Sequence, residues 1–286
     1  MKVEASSSGQ NMQPLLKVEN LVKRYAKQSL TDAGQELRAL NGVSFSIFPG
    51  TTLAVVGESG SGKSTLAACL ACLESPTTGS IWYGGKDLVK LEERARREVR
   101  PQLQLIFQDP ASSLNPRWSV LEILLEPMVL QRNFSRKDNF TRKEMNDRAN
   151  SLLERVGLSP DIVRRPPTEL SGGQRQRLAI ARALALEPKL LILDEALSAL
   201  DCSVQAQIAN LLMELQDSLR MTYLFITHDL AMAAYLADEI AVMEAGRIVE
   251  QGPPEKILKR PQHETTRQLL AAVPRIARPA PPTVEQ

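Results

Sequence analysis

Aromatic side chains are scarce in this chain of 286 residues, only 4% of the total, so its core has to be packed from Leu, Ile, Val and Ala. Histidine is scarcer still. His228 and His263 are the only two, and beside three cysteines they supply a four-ligand zinc site poorly. Cys69 and Cys72 do have Cys-x-x-Cys spacing, but no second pair accompanies them and both fall in the apolar helix expected after Gly62. They are expected to be small core residues, with redox sensitivity as the alternative. An excess of one charge is missing as well: 35 Lys and Arg against 33 Asp and Glu leave +2, no broad field to hold nucleic acid or an anionic lipid surface. Nucleic acid is therefore not an expected partner. No apolar run approaches the ~20 residues that span a bilayer, and residues 1–10 lack the apolar core of a signal peptide. These absences predict a soluble, cytoplasmic protein. The remainder, 43% hydrophobic and 24% charged, is globular material for one large domain or two modest ones.

What is present is concentrated around one stretch. The apolar run 53–56 leads into Gly57, Glu58, Ser59, Gly60, Ser61, Gly62, Lys63, Ser64 and Thr65, and a second apolar run follows at 66–70. Strand, glycine-rich turn and helix in that order make a P-loop, with the spacing glycine, four residues, Gly-Lys-Ser. Gly57, Gly60 and Gly62 are expected to take φ > 0 conformations that turn backbone N–H groups inward and let the main chain approach phosphate closely. The helix that starts there adds free N–H donors and a partial positive charge. Lys63 supplies a mobile charge for the β and γ phosphates, and the Ser64 hydroxyl is placed to bind Mg²⁺. The stretch reads as a nucleoside triphosphate site.

The flanking pattern alternates over 15–25 and 37–48, as half-buried antiparallel strands do, and again around Gly84-Gly85, so an antiparallel β layer brackets the P-loop. Residues 103–107 read as a short buried strand ending at Gln108, followed by turn chemistry through Arg117. From Val120 to Gly157 the pattern is helical, with a basic face (Arg132, Arg136, Lys137, Arg142, Lys143, Arg148) that is more often solvated than functional.

Three later stretches carry chemistry. Leu170, Ser171, Gly172, Gly173 and Gln174 precede a helix whose apolar residues line one face, so its N-terminus could contact phosphate or simply be an ordinary serine cap. The apolar run 190–193 ends abruptly in Asp194 and Glu195, carboxylates at the strand end where open α/β sheets bind ligands. Asp194 would hold Mg²⁺ through its water shell, and Glu195 would polarise the attacking water as general base. A further buried strand at 223–226 ends at His228, placed beside the same crevice to reach the γ phosphate. Two short strands, 239–243 and 247–250, and two short helices, about 255–259 and 264–272, complete the ordered part.

The P-loop, Gln108, the Leu-Ser-Gly-Gly-Gln stretch, Asp194-Glu195, Ser198-Ala-Leu-Asp201 and His228 occur in the order of an ABC transporter ATP-binding subunit, which the chain resembles over about residues 14–273. The resemblance implies an α/β P-loop NTPase (RecA-like) core with an antiparallel β subdomain and an inserted α-helical subdomain at about 109–170. It places the ATPase domain at 14–252 and an extension at 253–273, with 1–13 and 274–286 disordered. It implies that Tyr25 stacks on adenine, with a strand-end core tyrosine as the alternative reading of that residue. Gly57 to Thr65 bind the phosphates, Ser64, Gln108 and Asp194 serve Mg²⁺, Glu195 is the catalytic base, His228 contacts the γ phosphate, and Asp201 lies at a dimer interface. Ser171 to Gln174 then cover ATP held by a second ATP-binding subunit, self or paralogue, and two transmembrane permeases are the further partners, served indirectly by an extracytoplasmic substrate-binding protein. The implied place is the cytoplasmic face of the membrane.

Within that family, Gln108 to Arg117 and Asp194 to Asp201 look like the oligopeptide, dipeptide and nickel import group. The group's usual His-Pro-Tyr-Thr before the last helix is His263-Glu264-Thr265-Thr266 here, and no cysteine follows Cys202, so no iron-sulfur cluster is expected. A soluble ATPase subunit of a carbon-phosphorus lyase type complex is the alternative reading.

Overall fold

The structure, a computed structural model, describes residues 13–26, 36–109, 113–135 and 141–273. The disorder expected of the two ends, and the basic residues Arg136 and Lys137, fall outside the described residues, as do the side chains of Arg132 and Arg142. The strands in chain order are β1 (Leu16–Ala26), β2 (Glu36–Ile47), β3 (Thr52–Val56), β4 (Thr78–Tyr83), β5 (Lys86–Asp87), β6 (Leu103–Ile106), β7 (Leu190–Asp194), β8 (Thr222–Thr227), β9 (Glu239–Glu244) and β10 (Arg247–Gly252). The α-helices are α1 (Lys63–Leu70), α2 (Glu93–Val99), α3 (Val120–Ser135), α4 (Arg142–Arg155), α5 (Gly172–Leu184), α6 (Cys202–Leu219), α7 (Leu230–Leu236), α8 (Pro254–Lys259) and α9 (Glu264–Ala272).

Two sheets form. One is antiparallel in the order β2-β1-β4-β5, and the other has six strands in the order β10-β9-β3-β8-β7-β6, parallel from β9 to β6 with β10 antiparallel at the edge. Strands buried on both faces read as unbroken apolar runs, and here their side chains divide by alternation between two cores. Ala54, Val56, Leu191, Leu193, Tyr223 and Phe225 face the core built with α3 to α8. Leu53, Val55, Leu190, Ile192, Leu224 and Ile226 face the core shared with α1 and the antiparallel sheet.

The parallel registers bring the functional strand ends to one edge. Val56 lies opposite Thr227, Asp194 opposite Ile226, and Ile106 opposite Leu193, so the chain leaves β3, β8, β7 and β6 side by side into the P-loop, His228, Glu195 and Gln108. That row is the crevice outside the carboxyl ends of the strands.

Several details depart from the sequence reading. Cys72 falls outside α1, at φ +56°, and not in the apolar helix. Cys69 is buried with its thiol pushed up to about 11, Cys72 is also raised by burial, and both are free, as core residues should be. The pattern reading did not anticipate α2, α6 or α7. α6 was legible: Ile208, Leu211, Leu212 and Leu215 follow a buried helical stripe behind an Asp201 cap. The basic face is partly structural, because Arg148 pairs with Glu187 at 2.8 Å.

Candidate active site

The P-loop is held from outside itself. Gly60 and Gly62 sit at φ +83° and +106°, as expected, but Gly57 does not, and the reason for glycine there is space. A Cβ at Gly57 would fall on the Met243 carbonyl oxygen, and one at Gly62 on the Ala39 carbonyl oxygen. The turn between β9 and β10 completes the support, with the Gly246 N–H donating to the Ser61 carbonyl at 2.9 Å and the Asn41 N–H to the Gly246 carbonyl at 2.8 Å. This support was not visible in the sequence beyond the Ala245-Gly246 turn itself. Glu58, Ser59 and Gly60 lie exposed at the loop's tip, Ser61 is buried and Thr65 half-buried.

Lys63 is only 4% exposed, and its ammonium donates to the Gly57 and Glu58 carbonyls, both at 2.8 Å. Burial pushes it below its ordinary value against the opposing pull of Glu195 and Asp194. Glu195 Oε1 is 3.8 Å from that ammonium and its Oε2 is 3.6 Å from His228 Nδ1, so the expected base stands between the other two catalytic candidates. Glu195 occupies φ +47°, fixed by its N–H on the Ile226 carbonyl at 2.9 Å and by the Ser198 hydroxyl on its own carbonyl at 2.8 Å. A non-glycine residue there is strained by about 1–3 kcal/mol, and such strain gathers at functional sites. Ser198 is thus a supporting residue that sequence reasoning quoted without a role. His228 is held by the next residue, since Asp229 caps α7 through the Ala231 and Met232 amides.

The Ser64 hydroxyl donates to Asp194 Oδ1 at 3.2 Å. Burial pushes the Asp194 carboxyl above its ordinary value, the Ser64 hydroxyl opposes this, Glu195 adds to it and Lys63 opposes it. A hydroxyl and a carboxylate converging beside a phosphate cradle form a hard-oxygen donor set of the kind that fits Mg²⁺. Gln108 lies two residues beyond β6 on the same edge, with its side chain exposed.

Ser171 and Gln174 form a reciprocal capping box at the head of α5, with Gln174 N–H on Ser171 Oγ at 3.2 Å and Ser171 N–H on Gln174 Oε1 at 2.9 Å. The serine therefore is a cap. The box leaves the amides of Gly172 and Gly173, in the first helical turn, as the free donors. Gly173 lies against Val204 at the start of α6, and Asp201 caps α6 through the Val204 amide at 2.9 Å, so Ser171 to Gly173 and Asp201 form one surface. Tyr25 is half-buried at the end of β1, with Lys23 Nζ 4.9 Å from its ring centroid. Its strand pairs with β2 on either side of Ala39, whose carbonyl abuts Gly62, which puts this end of the ribbon next to the P-loop.

A family model described as ABC transporter matches residues 40–198, more than half of the chain. The chain belongs to the ABC transporter family. Its geometry agrees with that of solved ABC cassettes: a dimeric ATP-binding cassette in a post-hydrolysis state bound to ADP and Pi superposes with a TM-score of 0.74 at 28% identity, covering 84% of this chain and 98% of that one. The dipeptide transport ATP-binding protein of Escherichia coli is 45% identical over 92% of this chain and 78% of its own length. The corresponding protein of Haemophilus influenzae is 44% identical over 92% and 79%. A probable peptide ABC transporter ATP-binding protein of Sinorhizobium fredii is 47% identical over 91% and 72%. This ABC subunit is an ATPase, and its relatives' dipeptide and peptide transport names fit the group expected from the sequence, that of oligopeptide, dipeptide and nickel importers. Among the described residues, no helix is long and apolar enough to cross a membrane.

Proposed function

We propose that this ABC ATPase binds Mg²⁺-ATP between the P-loop of one subunit and residues 171–174 of another, and that its hydrolysis energises import of peptides through two permeases. The observation that carries the reading is the Lys63, Glu195 and His228 cluster at the strand ends, with Glu195 within 4 Å of both partners. In this reading Lys63 exchanges its carbonyl partners for phosphate oxygens, which frees Glu195 to orient water. Ser64, Asp194 and Gln108 would hold Mg²⁺, which would supply positive charge to offset that of the phosphates. Tyr25 stacks on adenine, His228 contacts the γ phosphate, and Asp201 meets the second subunit, self or paralogue.

The permeases dock in the groove between the β6 edge and α3, a cavity of about 540 Å³ lined by Gln104, Phe107, Pro127, Leu130, Arg182 and Leu186. Phe107 and Leu130 are about half exposed there, at 48% and 49%, an apolar surface suited to a partner segment. Because Gln108 follows Phe107 directly, the groove and the metal-side residues share one segment. The subunit then works at the cytoplasmic face of the membrane, and an extracytoplasmic binding protein delivers the cargo. Transport is preferred to a soluble lyase-type complex because the relatives described above carry transport names.

Glu195→Gln should leave ATP binding intact and slow hydrolysis by about 10² to 10⁴. A pull-down of this variant from solubilised membranes with ATP should bring two polytopic membrane proteins. Recovery of soluble enzymes alone would show transport to be the wrong assignment.

A further inference from the structure

The C-terminal extension carries a hydrogen-bonded cluster that the ATPase site does not account for. Glu250 of β10 is buried and accepts from the Gln262 and His263 amides, both at 2.9 Å, and from the Thr266 hydroxyl at 2.6 Å. His263 caps α9 through the Thr265 amide. The Thr265 hydroxyl donates to Glu244 Oε1 at 2.6 Å, at the last residue of β9. The head of α9 therefore grips both strands of the β9–β10 hairpin. Thr265 and Thr266 are buried, at 4% and 0%, although they follow an exposed glutamate in a short terminal helix.

That hairpin is the one that holds the P-loop. Met243, next to Glu244, sets its carbonyl against Gly57 and its methyl beside Gly62, and Gly246 donates to the Ser61 carbonyl between Gly60 and Gly62. The turn itself is not self-supporting. Ala245 and Gly246 are consecutive residues at positive φ, +45° and +78°, and an alanine persists in that region only where its surroundings over-determine it. The turn is fixed by the P-loop and Asn41 of β2 on one side and by Glu244 held by Thr265 on the other.

We infer that Thr265 is a positioning residue for nucleotide binding: through Glu244 it sets the β9–β10 turn and hence the shape of the phosphate cradle, which gives the C-terminal extension a part in ATP affinity. The inference takes ATP at the P-loop as given. Thr265→Val keeps the volume and the apolar contacts while removing the hydroxyl, and Glu244→Ala removes its acceptor from an exposed position.

The test measures binding of trinitrophenyl-ATP with Mg²⁺ to the full chain, alongside the thermal midpoint. Thr265→Val and Glu244→Ala should each weaken binding about threefold to tenfold, the double variant no more than either single one, and Thr265→Ser should bind as wild type. The inference is overturned if Thr265→Val lowers the midpoint with unchanged affinity, if the two losses add in full, or if Thr265→Ser fails to rescue. A wild-type chain that binds no nucleotide would overturn the P-loop assignment and the inference together, whereas normal wild-type binding matched by Thr265→Val overturns the inference alone.

Discussion

Gly57 and Gly60 are both P-loop glycines, yet glycine is favoured at them for different reasons. At Gly60 the backbone is left-handed at φ +83° but nothing lies within 4 Å of an added Cβ, so alanine would meet only conformational strain, about 1 kcal/mol. At Gly57 the conformation is ordinary, and alanine would instead drive the Met243 carbonyl away, with Ser61 Oγ also only 2.9 Å from the added carbon. Because a strand backbone cannot give way as a side chain does, Gly57→Ala should cost the larger amount, about 1–3 kcal/mol, and should displace the cradle. Urea midpoints for the two variants should fall in that order, with nucleotide affinity lost in Gly57→Ala. Equal affinity in the two would refute the spatial argument. The pattern glycine, four residues, Gly-Lys-Ser identifies the loop but cannot separate these two roles, because one depends on a strand almost two hundred residues away.

The elements divide in the same way between what local pattern reveals and what packing decides. β3, β7 and β8 were legible as unbroken apolar runs because both faces are buried, and their last residues gave the site. α2 and α7 were not, since each has only seven residues and few of them are buried. The C-terminal extension was legible as two short helices, but its attachment was not, because Glu250 reads as an ordinary polar residue of an edge strand. Burial pushes the Glu250 carboxyl up, but the Thr266 hydroxyl and the two amides outweigh it, and it lies below the usual carboxylate range. A carboxyl held low in the fold stabilises fully above its unfolded value, near about 4.3, and that contribution is lost as pH falls through the folded value. Hydrogen exchange of α9 should therefore be slower in wild type than in Glu250→Gln at pH 7, and the difference should shrink as pH falls below about 4.3. A difference that does not change on acidification would place the stabilisation elsewhere.

At the scale of the whole molecule, the proposed reading gives one chain two halves of a site on different supports. The P-loop rests on β2 and the β9–β10 turn, while Ser171 to Gly173 rest on α6 through Val204. Free helix-terminal amides at Gly172 and Gly173 suit phosphate, and in the proposed reading ATP held by one chain closes on this Ser171–Gly173 surface, the signature surface, of another. Such an arrangement makes a genetic argument possible in solution. Lys63→Ala removes the cradle's cation but leaves the signature surface, and Ser171→Arg blocks the signature surface but leaves the cradle. If two copies pair head to tail, every site in either pure variant is defective, whereas a mixed dimer has one site with both halves intact. Random pairing of equal amounts should then restore about one quarter of the wild-type sites, and ATPase activity should rise to about that fraction on mixing two inactive preparations. A Ser171→Arg preparation that hydrolyses ATP normally would show that one chain suffices. Mixing that restores nothing, with both variants folded, would exclude self-pairing and leave a paralogous ATP-binding subunit as the partner to supply.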